Sequence, residues 1–147
     1  MPDPSFVGRA LPPSAPYTVG REKIREFALA IGEGASVCTD VGAARAAGHR
    51  DVVAPPTFSV TFTMPHIEAF LKDPAFGWDY SRMVHGDQSI TLHRPICGGD
   101  VLTTTIHVED LKTRAGSHML TLRCEIVDAA DESVATTRLM LVTQADA

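Results

Sequence analysis

Positive charge, cysteine and long apolar runs are all in short supply in this chain of 147 residues. Lysine and arginine number 13 against 18 acidic residues, for a net charge of −5. No basic run exists to displace counterions from phosphate, which excludes a nucleic-acid surface. The three cysteines, Cys38, Cys97 and Cys124, form no CxxC pair and are odd in number. A disulfide framework is not expected, and a reducing compartment, the cytoplasm, is the simpler reading. The six histidines show no HxxxH spacing and no clustering with cysteine, so neither a metal nor another cofactor is expected. No apolar stretch approaches the roughly eighteen residues of a spanning helix. The opening, MPDPSFVGRALPPSAPY, carries five prolines and lacks the apolar core of a signal peptide, so no membrane partner is expected.

What remains is the composition of a soluble globular domain, 44% hydrophobic and 21% charged. The length fits one domain with a sizeable core. Residues 1–16 form a Pro-rich lead, either docked along the surface or a disordered tail. Residues 17–20 suit a short strand. From Arg21 to Ile31, the residues Ile24, Phe27, Ala28 and Ile31 fall at helical spacing, and Gly32 and Gly34 suit the helix end. A second short helix runs from an Asp40 N-cap through Ala47, with Gly48 as its stop.

After the break at Ala54-Pro55-Pro56, the pattern is ambiguous. Phe58, Val60, Phe62 and Met64 alternate with Ser59, Thr61 and Thr63, as in a strand. The alternative is a fully buried helix starting near Thr57, which need not show a clean amphipathic period, with Pro65 kinking or ending it and His66 to Leu71 giving one or two more turns. The second half reads as four strands, over 84–95, 101–112, 117–128 and 133–143. Turns at Gly98-Gly99-Asp100, Arg114-Ala115-Gly116 and Ala129-Ala130-Asp131 separate them. Alternation is cleanest in the third, with Leu120, Leu122, Cys124 and Ile126 on one face. A strand, helical segments and an antiparallel meander make an α+β plan with a sheet packed on helix.

The stretch from Phe27 to Phe58, FALAIGEGASVCTDVGAARAAGHRDVVAPPTF, resembles the motif of the MaoC-like, (R)-specific enoyl hydratase and dehydratase family. There the pattern runs aromatic, aliphatic, Gly-Asp-x-Asn-Pro-aliphatic-His, then a turn into a helix. Gly32 and Val37 keep the frame. The acid is Glu33, while Ala35, Ser36 and Cys38 stand where Asn, Pro and His belong. A second stretch, His85-Gly86-Asp87-Gln88-Ser89-Ile90 with Arg94-Pro95 and Gly99-Asp100-Val101-Leu102, resembles the N-terminal MaoC-like dehydratase subfamily. That group includes small subunits of actinobacterial (3R)-hydroxyacyl-ACP dehydratases, and Ser5 to Ala28 resembles the start of those chains. The resemblance implies a hotdog fold, a curled antiparallel sheet wrapped around a central helix, and so favours the helix over the strand from Thr57 onward. It also implies an acyl-CoA or acyl-ACP thioester as ligand, and a homodimer or a heterodimer with another hotdog subunit.

Syn-elimination of water from a 3-hydroxyacyl thioester needs a base for the α-proton and an acid for the leaving hydroxyl. It also needs donors aimed at the thioester oxygen, which the N–H groups of Thr57 and Phe58 would supply because Pro55 and Pro56 cannot. Glu33 keeps a carboxylate but adds a methylene, and a displacement of about 1 Å costs on the order of a hundredfold in rate. Cys38 replaces imidazole poorly, since an unperturbed thiol titrates near about 8.5 and bonds hydrogen weakly. The resemblance thus marks Glu33 and Cys38 as the altered catalytic positions, with His85 as a weaker candidate. Pro56, Thr57, Phe58, Gly86 and Gly99 are its substrate-binding positions.

Each has a plainer reading. Gly99-Asp100 is a hairpin turn, His85 and Asp87 are solvated at a strand start, Arg94 is a surface charge, and Glu33 is a loop carboxylate. Phe58, Phe62, Phe70, Phe76 and Trp78 line an acyl channel or, more simply, form core. Three functions follow: an acyl-binding dehydratase subunit needing a partner with an intact Asp/His pair, a self-sufficient hydratase using Glu33, or a non-enzymatic ligand-binding protein.

Overall fold

The computed structural model describes residues 1–145. Helix α1, Arg21–Ala30, buries Ile24 and Ala28 and half-buries Phe27. Ile31, expected on the same face, is instead the C-cap and is 51% exposed, because the chain leaves the helix there. Gly32 takes a positive φ of 73°, while Gly34 does not. Helix α2, Val41–Ala46, begins as expected, with the Asp40 side chain accepting from the Ala43 N–H at 2.8 Å.

The ambiguous segment is helical. Bonds from Phe58 N–H to the Pro55 carbonyl (2.9 Å) and from Val60 N–H to that of Thr57 (3.2 Å) form a tight turn. Helix α3 then spans Val60–Leu71 and runs through Pro65 rather than ending there. The strand-like alternation misleads because both halves of it contribute to the interior: Phe58 and Phe62 are buried, and so are Ser59 and Thr63.

Strand β1 is Tyr17–Thr18, β2 Val84–Leu92, β3 Val101–Arg114, β4 Ser117–Val127 and β5 Ser133–Gln144. They form one antiparallel sheet in the order β1-β3-β4-β5-β2. The β3–β4 hairpin turns through Ala115 and Gly116, both at positive φ, the backbone that a two-residue turn of matching twist requires. Leu120, Leu122, Cys124 and Ile126 of β4 are fully buried on the inner face. Across this face lies α3, with Ile67, Phe70 and Leu71 packed among Ile106, Val108, Leu120, Leu139 and Leu141. Phe58, Phe62, Phe70, Phe76 and Trp78 are all buried and form core contacts, such as Phe58–Phe62 at 6.2 Å and Phe70–Phe76 at 4.5 Å between ring centroids. The result is a curled antiparallel half-barrel closed by helix.

The Pro-rich lead is docked. Gly8 N–H donates to the Val108 carbonyl at 2.8 Å, Val108 N–H to that of Arg9 at 3.0 Å, and Leu11 N–H to that of Ile106 at 2.8 Å. These bonds cover the free edge of β3. The opposite edge, β2, has no such cover among the described residues.

Candidate functional site

Three segments build one cavity. The first leaves α1 at Gly32 and carries Glu33, Ala35, Val37 and Cys38, the last in a 3-10 turn over Ser36–Cys38. The second is Val53 to Pro56, and the third is Leu92 to Pro95. Backbone bonds lace them together: Val53 N–H donates to the Val37 carbonyl at 2.9 Å, and Ala54 N–H to that of Ile96 at 2.8 Å. The cavity holds about 440 Å³, and its walls are largely apolar.

The two altered motif positions therefore meet. Glu33 is half-buried, and its carboxylate accepts from the Ala35 N–H at 2.9 Å, which ties it partly to shaping the loop. Cys38 is 4% exposed. Burial, and secondarily the Glu33 carboxylate, pushes its thiol above the ordinary range. Cys38 is therefore neutral near pH 7 and contributes little to proton transfer.

The other sequence-derived candidates are more scattered. Pro56 lines the cavity, but Thr57 and Phe58 do not. The Phe58 N–H, expected to face a thioester oxygen, is occupied by the Pro55 carbonyl, and its ring packs edge-on to Phe27 at 5.6 Å. The Phe58 ring is fully buried in the core, the plainer of its two expected places. The Thr57 N–H has no partner among the described residues.

Gly99 sits at φ 90° in the turn before β3 and lines a separate shallow depression with Arg50 and Asp100. His85 and Gly86 lie at the start of β2, whereas Leu92 at its far end lines the cavity. At about 3.3 Å per residue this puts His85 on the order of 20 Å away within one chain. A Cβ at Gly86 would meet the terminal methyl of Met140 at 2.7 Å, the far end of a flexible side chain that can move aside.

Arg94 is neither a loose surface charge nor a free anion clamp. Its guanidinium donates to both oxygens of buried Asp100 (2.9 and 3.2 Å) and to Asp128 at 3.1 Å. Asp100 also accepts from the Cys97 N–H at 2.8 Å and pairs with Arg50. The Arg-Pro and Gly-Asp motifs are thus two halves of one ionic clamp behind the cavity. A second clamp holds the base of α1, with Arg21 donating to Asp51 at 2.9 and 2.7 Å.

One residue escaped the sequence reading. His93 lines the cavity, with Nε2 3.0 Å from the Thr136 hydroxyl. Its position directly before Arg94-Pro95, at the end of a strand, was the available signal.

The chain matches the family described as "FAS1-like, dehydratase domain region" over residues 5–137. It is 50% identical over 145 residues to a UPF0336 protein of Saccharopolyspora erythraea, covering 99% of this chain and 93% of that one. Among solved structures it is similar to a MaoC-like dehydratase at TM-score 0.87 and 30% identity, covering 96% of this chain and 43% of that longer one. It is also similar to a C-terminally truncated HadBC (3R-hydroxyacyl-ACP dehydratase) complex from Mycobacterium tuberculosis, at TM-score 0.83 and 26% identity, over 93% of this chain and 96% of that one.

Proposed function

Because the chain belongs to the FAS1-like dehydratase family and has its hotdog fold, we propose that it is an acyl-thioester-binding subunit of a 3-hydroxyacyl-thioester dehydratase or enoyl hydratase. The carrier is CoA or an acyl carrier protein, the setting is fatty-acid-type metabolism in the cytoplasm, and proton transfer depends on a second hotdog subunit. One observation carries this reading. Glu33 and Cys38, at the motif positions of the acid and the imidazole, face the same largely apolar cavity of about 440 Å³. A cavity of that size with largely apolar walls suits an acyl segment. The frame is retained and the imidazole is not, which favours binding over independent catalysis. The structural similarity to a dehydratase complex is consistent with a partner.

Hydration of trans-2-enoyl-CoA, followed as loss of enoyl absorbance over a dilution series, tests this. Saturable binding is expected, with no turnover by chain shown to be monomeric. Rapid turnover by the monomer refutes partner dependence, and Glu33→Gln then identifies whether the carboxylate is responsible.

A further inference from the structure

We infer that the depression lined by His49, Arg50 and Arg94 docks the phosphate of a phosphopantetheine arm, the linker that carries an acyl thioester in both CoA and acyl carrier proteins. The class of ligand rests on the acyl-thioester reading above. The depression holds about 420 Å³ and adjoins the Glu33–Cys38 cavity, for Arg94 and Pro95 line both. A ligand with an apolar end in one hollow and an anion in the other crosses at Pro95.

The backbone fixes this loop before any ligand arrives. Helix α2 ends in a Schellman motif, with Gly48 N–H donating to the Arg45 carbonyl and His49 N–H to that of Ala44, both at 3.0 Å. Gly48 takes the positive φ, 91°, that the motif requires. The Arg45 guanidinium then donates to the Arg50 carbonyl at 3.3 Å, and the next residue, Asp51, is held by Arg21. Side chains on a fixed loop have less freedom to lose when they meet an anion.

Arg50 is the cation with donors to spare. It reaches buried Asp100 through Nη2, and its side chain is 59% exposed. Arg94 is already committed, to both oxygens of Asp100 and to Asp128. Asp128 lines the same depression, but paired with Arg94 it does not oppose a phosphate as a bare charge. A guanidinium carries five donors in a planar fork that matches phosphate oxygens, so Arg50 can keep Asp100 and still receive one. Half-buried His49 offers a ring beside it. In a chain of net charge −5, these cationic groups stand against the apolar cavity.

Pantetheine trans-2-octenoyl thioester and its phosphorylated form differ only in the phosphate. In calorimetric titration of the full chain at low salt, the phosphorylated ester should bind about tenfold more tightly, the value of one charge-assisted contact. Added salt should shrink that gain. The two esters should bind alike in Arg50→Gln, whereas Arg50→Lys should retain part of the gain. His49→Glu, outside the ionic clamp, should abolish the gain by repulsion, and it decides the matter if Arg50→Gln does not fold. Equal affinities in the wild type overturn the phosphate site and leave the acyl cavity standing. A gain that survives both Arg50→Gln and His49→Glu overturns its assignment to this loop. Binding of neither ester refutes the acyl-thioester reading, and this site with it. Trans-2-octenoyl-CoA then separates the carriers, and either result supports the site: affinity equal to that of the phosphorylated ester marks the single phosphate of a carrier protein, and a further gain marks the diphosphate of CoA.

Discussion

Glu33 and Cys38 were legible as a pair because the glycine-acid frame fixes their spacing, and the structure sets both on one cavity. The Arg94–Asp100 clamp was not, since a motif reveals residue types but not that a buried carboxylate will need two arginines. His93 was missed for a related reason: a lone histidine acquires meaning only from the walls around it. The second clamp gives a pH prediction. The Arg21 guanidinium holds the Asp51 carboxyl down at about 2. An unfolded aspartate titrates near about 3.9, so this contribution is complete above about pH 4 and is lost as pH falls through the folded value. Asp51→Asn should lower the urea midpoint near neutrality and flatten its decline between about pH 4 and pH 2. An unchanged acid limb would assign that decline to other carboxylates, among them Asp79, which Ser81 and Arg82 also hold at about 2.

Among the elements, the four long strands and the helices α1 and α2 follow from period and punctuation. For α3 the local pattern favoured a strand, and only the family resemblance favoured a helix. One face of α3 is buried, at Phe62, Thr63, Ile67, Phe70 and Leu71, while Pro65 and Ala69 are exposed; a threonine on the inner face and a proline on the outer one blur the apolar stripe, which is why periodicity alone failed there. The lead could be read as docked or as a tail because nothing in a Pro-rich segment names its hydrogen-bond partner on a strand a hundred residues later. It is bound along β3, and its first residues pack on Gly77, where a Cβ would meet the Met1 carbonyl at 2.9 Å. Removing residues 1–14 should destabilise the fold by on the order of 2–4 kcal/mol through lost backbone bonds. It should also induce association by uncovering the β3 edge, visible in light scattering. A truncated chain that matches the full one in denaturant midpoint and scattering would show that the contacts are incidental.

At the scale of the molecule, the α+β plan was readable from element order, and the comparisons place the chain among hotdog dehydratases. What a single sequence could not convey is that one sheet edge is sealed and the other, among the described residues, open, or that the register of β2 shifts between His85 and Asp87. Both are properties of register, and register is set by partners distant in the chain. The largely apolar cavity beside Glu33 and Cys38 stands at one end of β2, where Leu92 lines it. The most direct test of that cavity is calorimetric titration of the purified chain with trans-2-octenoyl-CoA, beside Ala35→Trp. Ala35 is exposed on the cavity rim, so the indole fills the space without entering the core. Saturable binding by the wild type that disappears in a folded Ala35→Trp chain is the predicted result. Equal binding by both chains, or none by either, would contradict an acyl-thioester site between Glu33 and Cys38.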